Sequence, residues 1–188
     1  MIKNCLRASL LFLVLTVFCC AFYPFVVTVW AQSLFPAQAN GSLIKDKNGQ
    51  VVGSNLLGQT FSGETYFHSR PSATSEPYNA AASSGSNLAA SNEAFKKAVD
   101  ERVAALDAAN GSKEKIPQDL VTASASGLDP DITPEAASYQ TARIAKLRHR
   151  EKEAIDALVR NATEGRTFGV FGEPRVNVLK LNMALDNL

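Results

Sequence analysis

The sequence predicts an α+β protein with a single N-terminal transmembrane helix followed by one extracytoplasmic domain, and three features predict it. Ala8 to Ala31 is a run of 24 residues without a charge. Beyond it, apolar residues recur at helical spacing in several segments. Between those segments lie short β-prone stretches bounded by Asn-Gly, Gly and Pro.

The apolar run comes first. At ~1.5 Å of rise per residue it makes a helix of about 36 Å, enough to cross a hydrocarbon core of ~30 Å. Thirteen Leu, Val or Phe residues lie between Leu10 and Val29, Leu10 and Phe12 among them. Trp30 stands where an interfacial aromatic anchors a span. Pro24 lies toward the far end, where a kink is tolerated. Lys3 and Arg7 precede the run, and positive flanks stay in the cytoplasm. The expected layout is therefore a cytoplasmic N-terminus over residues 1–7, a transmembrane helix over 8–31 and an extracytoplasmic domain over 32–188. A cleaved signal peptide is the alternative: Val29-Trp30-Ala31 before Gln32 resembles a small-residue cleavage site. The length of the run, Pro24 and Trp30 favour a retained anchor, and both alternatives export the rest of the chain.

Each later element has its own signature. Ser42-Leu43-Ile44-Lys45 and Gln50-Val51-Val52 flank Asp46-Lys47-Asn48-Gly49, which predicts a hairpin, because Asn48 and Gly49 both tolerate positive φ. Residues 53–91, rich in Gly, Ser, Asn and Ala, read as ordered loop with short strands. Asn92 to Ala109 reads as a helix with Phe95, Val99, Val103 and Leu106 on one face, capped by Ser91 and stopped by Asn110-Gly111. Residues 111–133 read as extended or turning. Thr133-Pro134-Glu135 is a helix start, with a hydroxyl cap, proline in the first turn and an acid at the positive dipole end. Ala137, Gln140, Ile144 and Leu147 share one face, and Ile155, Leu158, Val159 and Ala162 share another. Residues 135–163 are one helix or two, ended by Gly165. Thr167 to Phe171 reads as a short strand, Val176 to Val178 follows Pro174, and Leu179 to Leu188 closes as a helix.

Composition limits the function. The chain has 19 Lys+Arg and 18 Asp+Glu. With Lys3 and Arg7 set aside, the exported part is near −1, which gives no electrostatic case for nucleic acid. Cys5, Cys19 and Cys20 all lie in the anchor region, so the domain has neither disulfides nor a Cys-containing metal site. A lone span without internal charge has no ion pathway of its own. If the protein serves transport, other chains supply the conduit.

Motifs of higher specificity follow in fixed order: Tyr66-Phe67-His68-Ser69-Arg70-Pro71-Ser72, Ser84-Gly85-Ser86-Asn87-Leu88 with Ser91-Asn92, and Val121-Thr122-Ala123-Ser124-Ala125-Ser126-Gly127-Leu128-Asp129-Pro130-Asp131-Ile132. Thr163-Glu164-Gly165-Arg166 and Gly172-Glu173-Pro174-Arg175-Val176-Asn177-Val178-Leu179 come next, with Leu181-Asn182 and Leu185-Asp186 closing. In these the chain resembles KdpC, the C chain of the bacterial potassium-transporting Kdp ATPase, over essentially its whole length. It departs from the family at Ala125, where glycine is common, and at Arg148-His149-Arg150, where a Gly-containing break is common.

The resemblance implies a non-catalytic accessory subunit of a bacterial inner-membrane complex. In such complexes a potassium-channel-like subunit selects the ion and a P-type ATPase subunit hydrolyses ATP. The C chain stabilises the assembly and supports its turnover from the outer face. ATP is then used by the partner, and no cofactor is expected on this chain. The family has been discussed as assisting ATP binding through a glutamine, and the matching residue is Gln140. A nucleotide contact there requires Gln140 to be exposed and ATP to be present outside; an ordinary helix residue requires neither.

Other candidate sites follow from the residues alone. Gly53-Ser54-Asn55-Leu56-Leu57-Gly58-Gln59-Thr60 matches a phosphate loop except that Gln59 replaces the lysine, and it follows a hairpin rather than the strand of a βαβ unit. A hydrolase would need a nucleophile with an oriented base; His68 and His149 are the only histidines, and no Gly-x-Ser-x-Gly elbow is present. No paired-His or calcium-loop spacing points to a metal. Asp129 and Asp131 around Pro130 read as turn chemistry. Arg143, Lys146, Arg148, Arg150 and Lys152 read as a solvated basic helix face, with docking onto an acidic partner as the alternative. Tyr66, Phe67, Arg70 and Pro71 are the candidate partner interface, because aromatics and arginine are the usual anchors; a core role for Phe67 is the competing assignment.

Overall fold

The computed structural model describes residues 2–111 and 114–188. The amino-terminal charge, and the part of the expected 111–133 loop at positions 112 and 113, lie outside the described residues. The chain divides into two units, Met1–Val52 and Gly53–Leu188.

The first unit is dominated by one helical rod, Ile2–Leu34, and no residue of its most apolar window is buried. It is longer than the 8–31 span, at about 50 Å, and takes in Lys3 and Arg7. Helix α1 (Ile2–Val17) runs into a π turn (Phe18–Phe22) and then α2 (Tyr23–Leu34). Pro24 accounts for the π turn: it has no N–H to give and its ring crowds the preceding turn. Widening by one residue relieves the clash, and the Tyr23 N–H reaches back to the Phe18 carbonyl. Leu10, Phe12 and Trp30 are all exposed. A short α3 (Pro36–Ala39) precedes the hairpin of β1 (Leu43–Lys45) and β2 (Val51–Ser54). The expected hairpin is present, with Asp46 to Gly49 in its loop. Only Gly49 has positive φ, +79°. The Asp46 carboxylate accepts from the Asn48 and Gln50 N–H groups at 2.9 and 2.8 Å and holds the loop.

In the second unit the loop-rich stretch after β2 forms no further strand before residue 91; its one regular element is a 3₁₀ turn at Ala80–Ala82. Helix α4 (Glu93–Asn110) is capped by the Asn92 side chain, not by Ser91, and ends at Gly111 in the left-handed region. Its apolar face is half-buried, with no residue fully covered.

Strand β3 (Asp131–Ile132) lies beside α5 (Pro134–Arg148), whose Thr133 cap accepts from the Ala136 N–H. Then come α6 (Lys152–Ala162), β4 (Thr163–Glu164), β5 (Arg175–Asn177) and α7 (Val178–Leu185). Residues 135–163 are thus two helices. The break is made without glycine: His149 takes the left-handed position at the end of α5, φ +53°. Helix α6 stops at Ala162 rather than at Gly165, because Thr163 and Glu164 pair with β5. The sheet is antiparallel in the order β3-β5-β4, with Ile132 and Thr163 both opposite Val176. Phe67, Ile144, Ile155, Val176, Leu181 and Leu185 form the centre of the core. Thr167 to Phe171 is a tight turn closed by one bridge, not a strand.

Candidate functional site

Residues 64–66 form a turn closed by the Tyr66 N–H on the Gly63 carbonyl at 3.1 Å, residues 67–71 follow without regular structure, and side chains hold the segment where strand neighbours otherwise would. The Asn182 amide accepts from the Phe67 N–H and donates to the Phe67 carbonyl, both at 2.9 Å. The Gln140 amide does the same for His68, at 2.8 and 3.1 Å. An amide carries one acceptor and one donor side, the same pair a strand presents. Two side chains therefore replace a β-ladder.

Arginines complete the clasp. Arg143, only 5% exposed, donates to the carbonyls of Glu64 and Tyr66, and to the side chains of Asn110 and Gln140. Burial pulls its pKa down, against the opposing charge of Glu64. Arg148 donates to the carbonyls of Thr65 and Leu185 and to Asp186, and lies 4.7 Å from the Tyr66 ring centroid. Arg150 donates to the Leu188 carbonyl and Lys152 pairs with Asp156. The expected solvated basic face is therefore divided: Arg143 and Arg148 are structural clamps, whereas Lys146, Arg150 and Lys152 are exposed as expected. Guanidinium groups suit this role because their fork satisfies several carbonyls at once.

The candidate interface residues separate by burial. Phe67 is 0% exposed and belongs to the core. Tyr66 is half-buried against Phe61, with its hydroxyl toward Asp186. Arg70 pairs with Asp129 at 3.2 Å, and the Pro71 carbonyl accepts from Ser124. Arg70, Asp119, Asp129, Asp131 and Arg175 line an open cleft of about 430 Å³. Its acids are already engaged. Asp129 also caps the Asp131 N–H, Asp119 accepts from the Thr133 N–H, and Asp131 meets Arg175 at 3.2 Å. Burial raises the Asp131 pKa, opposed by Arg175 and by the Asn177 amide.

Gln140 is 0% exposed, and both ends of its amide are bonded within the protein, to His68, Ala136 and Arg143. The exposed amide that a nucleotide contact requires is not present. The phosphate-loop match is a packing feature: a Cβ at Gly53 would meet Gln59 and Leu179, and one at Gly58 would meet Tyr78 and the Asp129 carbonyl, all under 3.0 Å. The ring of His68 faces the Gly63 carbonyl at 3.1 Å, while His149 is an exposed helix cap. Among the described residues neither meets a serine in the manner of a nucleophile and base. Among the described residues no group of three or more His, Cys, Asp or Glu is placed to hold a metal.

The Ser-Gly-Ser and Thr-Ala-Ser motifs interlock. Ser84 N–H donates to Ser126, the Ser72 hydroxyl to the Gly127 carbonyl, and Gly127 adopts φ +68°. Ala125 is not at positive φ; Gly127 takes that role. Sequence reasoning missed Asn182 and the clamp role of Arg143. A signal for Asn182 existed: it sits inside the stripe Val178, Leu181, Leu185 of α7, where a polar residue must find a buried partner.

The profile of the family described as "KdpC: K+-transporting ATPase, c chain" matches residues 5–187. A protein of Acidobacterium capsulatum is 54% identical over 186 residues, covering 98% of this chain and 99% of its own. One of Burkholderia orbicola is 57% identical over 178 residues, covering 94% and 92%. One of Methylococcus capsulatus is 54% identical over 190 residues, with full coverage of both. All three are named "Potassium-transporting ATPase KdpC subunit". Matched along nearly all of its length at more than half identity, the chain belongs to the KdpC family.

Proposed function

We propose that this chain is a non-catalytic accessory subunit of an ATP-driven potassium importer, which it stabilises and whose ATP-coupled turnover it supports. The observation that carries this is the family match over residues 5–187. The apolar rod supports it: a lone helix whose 8–31 stretch carries no charge anchors but cannot conduct. Residues 1–7 are the cytoplasmic end and 8–31 the span in a bacterial inner membrane. Residues 32–188 lie outside, an orientation supported by Lys3 and Arg7. The partners are a potassium-channel-like subunit and a P-type ATPase subunit, the latter using the ATP. The outer domain caps the ion-selecting partner near its entrance, with Tyr66, Arg70 and Pro71 on the half-buried edge toward it. Any effect on ATP affinity is a coupling through the partners, consistent with the buried amide of Gln140.

Purification of a tagged full-length chain in mild detergent is expected to bring a channel-like and a P-type ATPase subunit with it; recovery of neither refutes the assignment. Single cysteines placed in the Cys-free domain should react with an impermeant thiol reagent in intact cells, and labelling only after lysis would reverse the topology.

A further inference from the structure

The three most exposed large apolar side chains of the second unit are neighbours in one turn: Phe168 at 90%, Val170 at 68% and Phe171 at 68%. We propose that this turn, between β4 and β5, is a preformed apolar plug that seats in an uncharged apolar pocket of another protein subunit of the same complex. The proposal rests on the assembly assigned above and names a surface and its chemistry within it.

The turn is built rather than slack. Thr167 and Phe171 exchange N–H···O bonds at 2.8 and 2.9 Å, and Gly169 and Val170 donate to the Arg166 and Thr167 carbonyls at 3.0 and 3.2 Å. Phe168, Gly169 and Gly172 have φ of +54°, +75° and +78°. Two of these are glycines, for which the conformation is free. Phe168 is not; a bulky residue in the left-handed region is strained, and such strain collects at binding surfaces. Here it aims the ring at solvent. Nothing in the domain's own core is gained by it.

Charge selects the occupant. The basic groups at the base of the turn are held: Arg166 by Glu173 at 2.6 Å, and Arg175 by Glu164 at 2.9 Å and Asp131 at 3.2 Å. A loop that docks on anionic lipid needs free basic residues around its apolar tip. This tip has a neutralised rim, as at the centre of a protein interface. The clefts described on the domain offer a second copy's tip no uncharged seat. Four open clefts of the domain, of about 390–430 Å³, all have charged side chains in their walls. The tip offers on the order of 400 Å² of apolar surface, roughly half of one partner's share of a standard interface. That is the size of an anchoring centre rather than of a complete contact.

The test uses the full-length chain in the assembled complex, in native membranes. A photoreactive benzoylphenylalanine placed at Phe168 or at Phe171 is expected to give a light-dependent adduct with another protein subunit, absent when the probe replaces exposed Arg160. Adducts with lipid alone, with a second copy alone, or none at all, in a complex that still co-purifies, would overturn the plug and leave the assembly standing. The double variant Phe168→Asp, Phe171→Asp should keep the domain's melting temperature, since both rings are outside the core. It should reduce recovery of the partner subunits about tenfold; unchanged recovery counts against the plug. If the unaltered chain recovers no partner, the assembly itself is refuted and the plug with it.

Discussion

Gln140 and Asn182 are single residues doing the work of a strand. Each is fully enclosed and each bonds both backbone groups of one residue in a segment far away along the chain. Gln140 was legible as a distinctive position through the family resemblance, but its role was not. Periodicity places it on a buried face among Ala137 and Ile144, and nothing local says that its partner is His68. Gln140→Leu keeps the volume and strips the amide, leaving the N–H and carbonyl of His68 buried and unpaired. The expected loss is about 2–3 kcal/mol of stability, measured as the shift in urea midpoint of the domain. His68 carries a second expectation. Burial lowers its pKa from the ordinary 6.5, and Arg143 adds to this, while the Gly63 carbonyl and Glu64 oppose it. The unfolded chain therefore takes up the proton first. The contribution of neutral His68 is complete above about pH 6.5 and is lost as pH falls through the lower folded value. Urea midpoints compared near pH 7 and pH 5 should fall further for the unaltered protein than for His68→Gln.

At the scale of elements, helix α5 shows where pattern reading succeeds and where it stops. Its start at Thr133-Pro134-Glu135 and its apolar face were both readable, because capping and 3.6-residue spacing are local. Its end was not. His149 closes it in a conformation usually given to glycine, and no spacing rule favours histidine there. The basic residues of α5 misled for a related reason: a run of charges is usually solvated, yet Arg143 and Arg148 face the 64–67 segment because that segment has carbonyls and no strand neighbour. Arg143→Met is expected to destabilise the domain by about 2–4 kcal/mol, through the carbonyls it orphans. Limited proteolysis should then cut first near residues 63–67. Faster cleavage elsewhere, with that segment protected, would assign the clasp to Gln140 and Asn182 alone. The Thr, Phe and Val of 167–171 are β-prone and point to a strand; the glycines at 169 and 172, both at positive φ, decide for a turn.

For the molecule as a whole, the α+β class and the apolar helix were legible because both follow from composition and periodicity over long windows. The three-stranded sheet was not, since β3, β4 and β5 are two or three residues each, and β3 and β4 pair with β5 across gaps of 42 and 10 residues. Such pairs are set by the core beneath them. Val176 is enclosed because Ile132 and Thr163 flank it and Ile144, Ile155 and Leu181 lie in the same cluster. The two units also divide their chemistry: the thiols sit in the helical rod, and the domain holds together through packing and amide clasps.

Helix α7 has a consequence in time as well as in space. Asn182, Leu181 and Leu185 brace a segment that leaves the ribosome more than a hundred residues before them. The domain cannot close while it is being made. Its earlier parts must wait, unfinished, for the stitch that α7 brings more than a hundred residues later, and any chaperone that attends this chain has that interval in which to act.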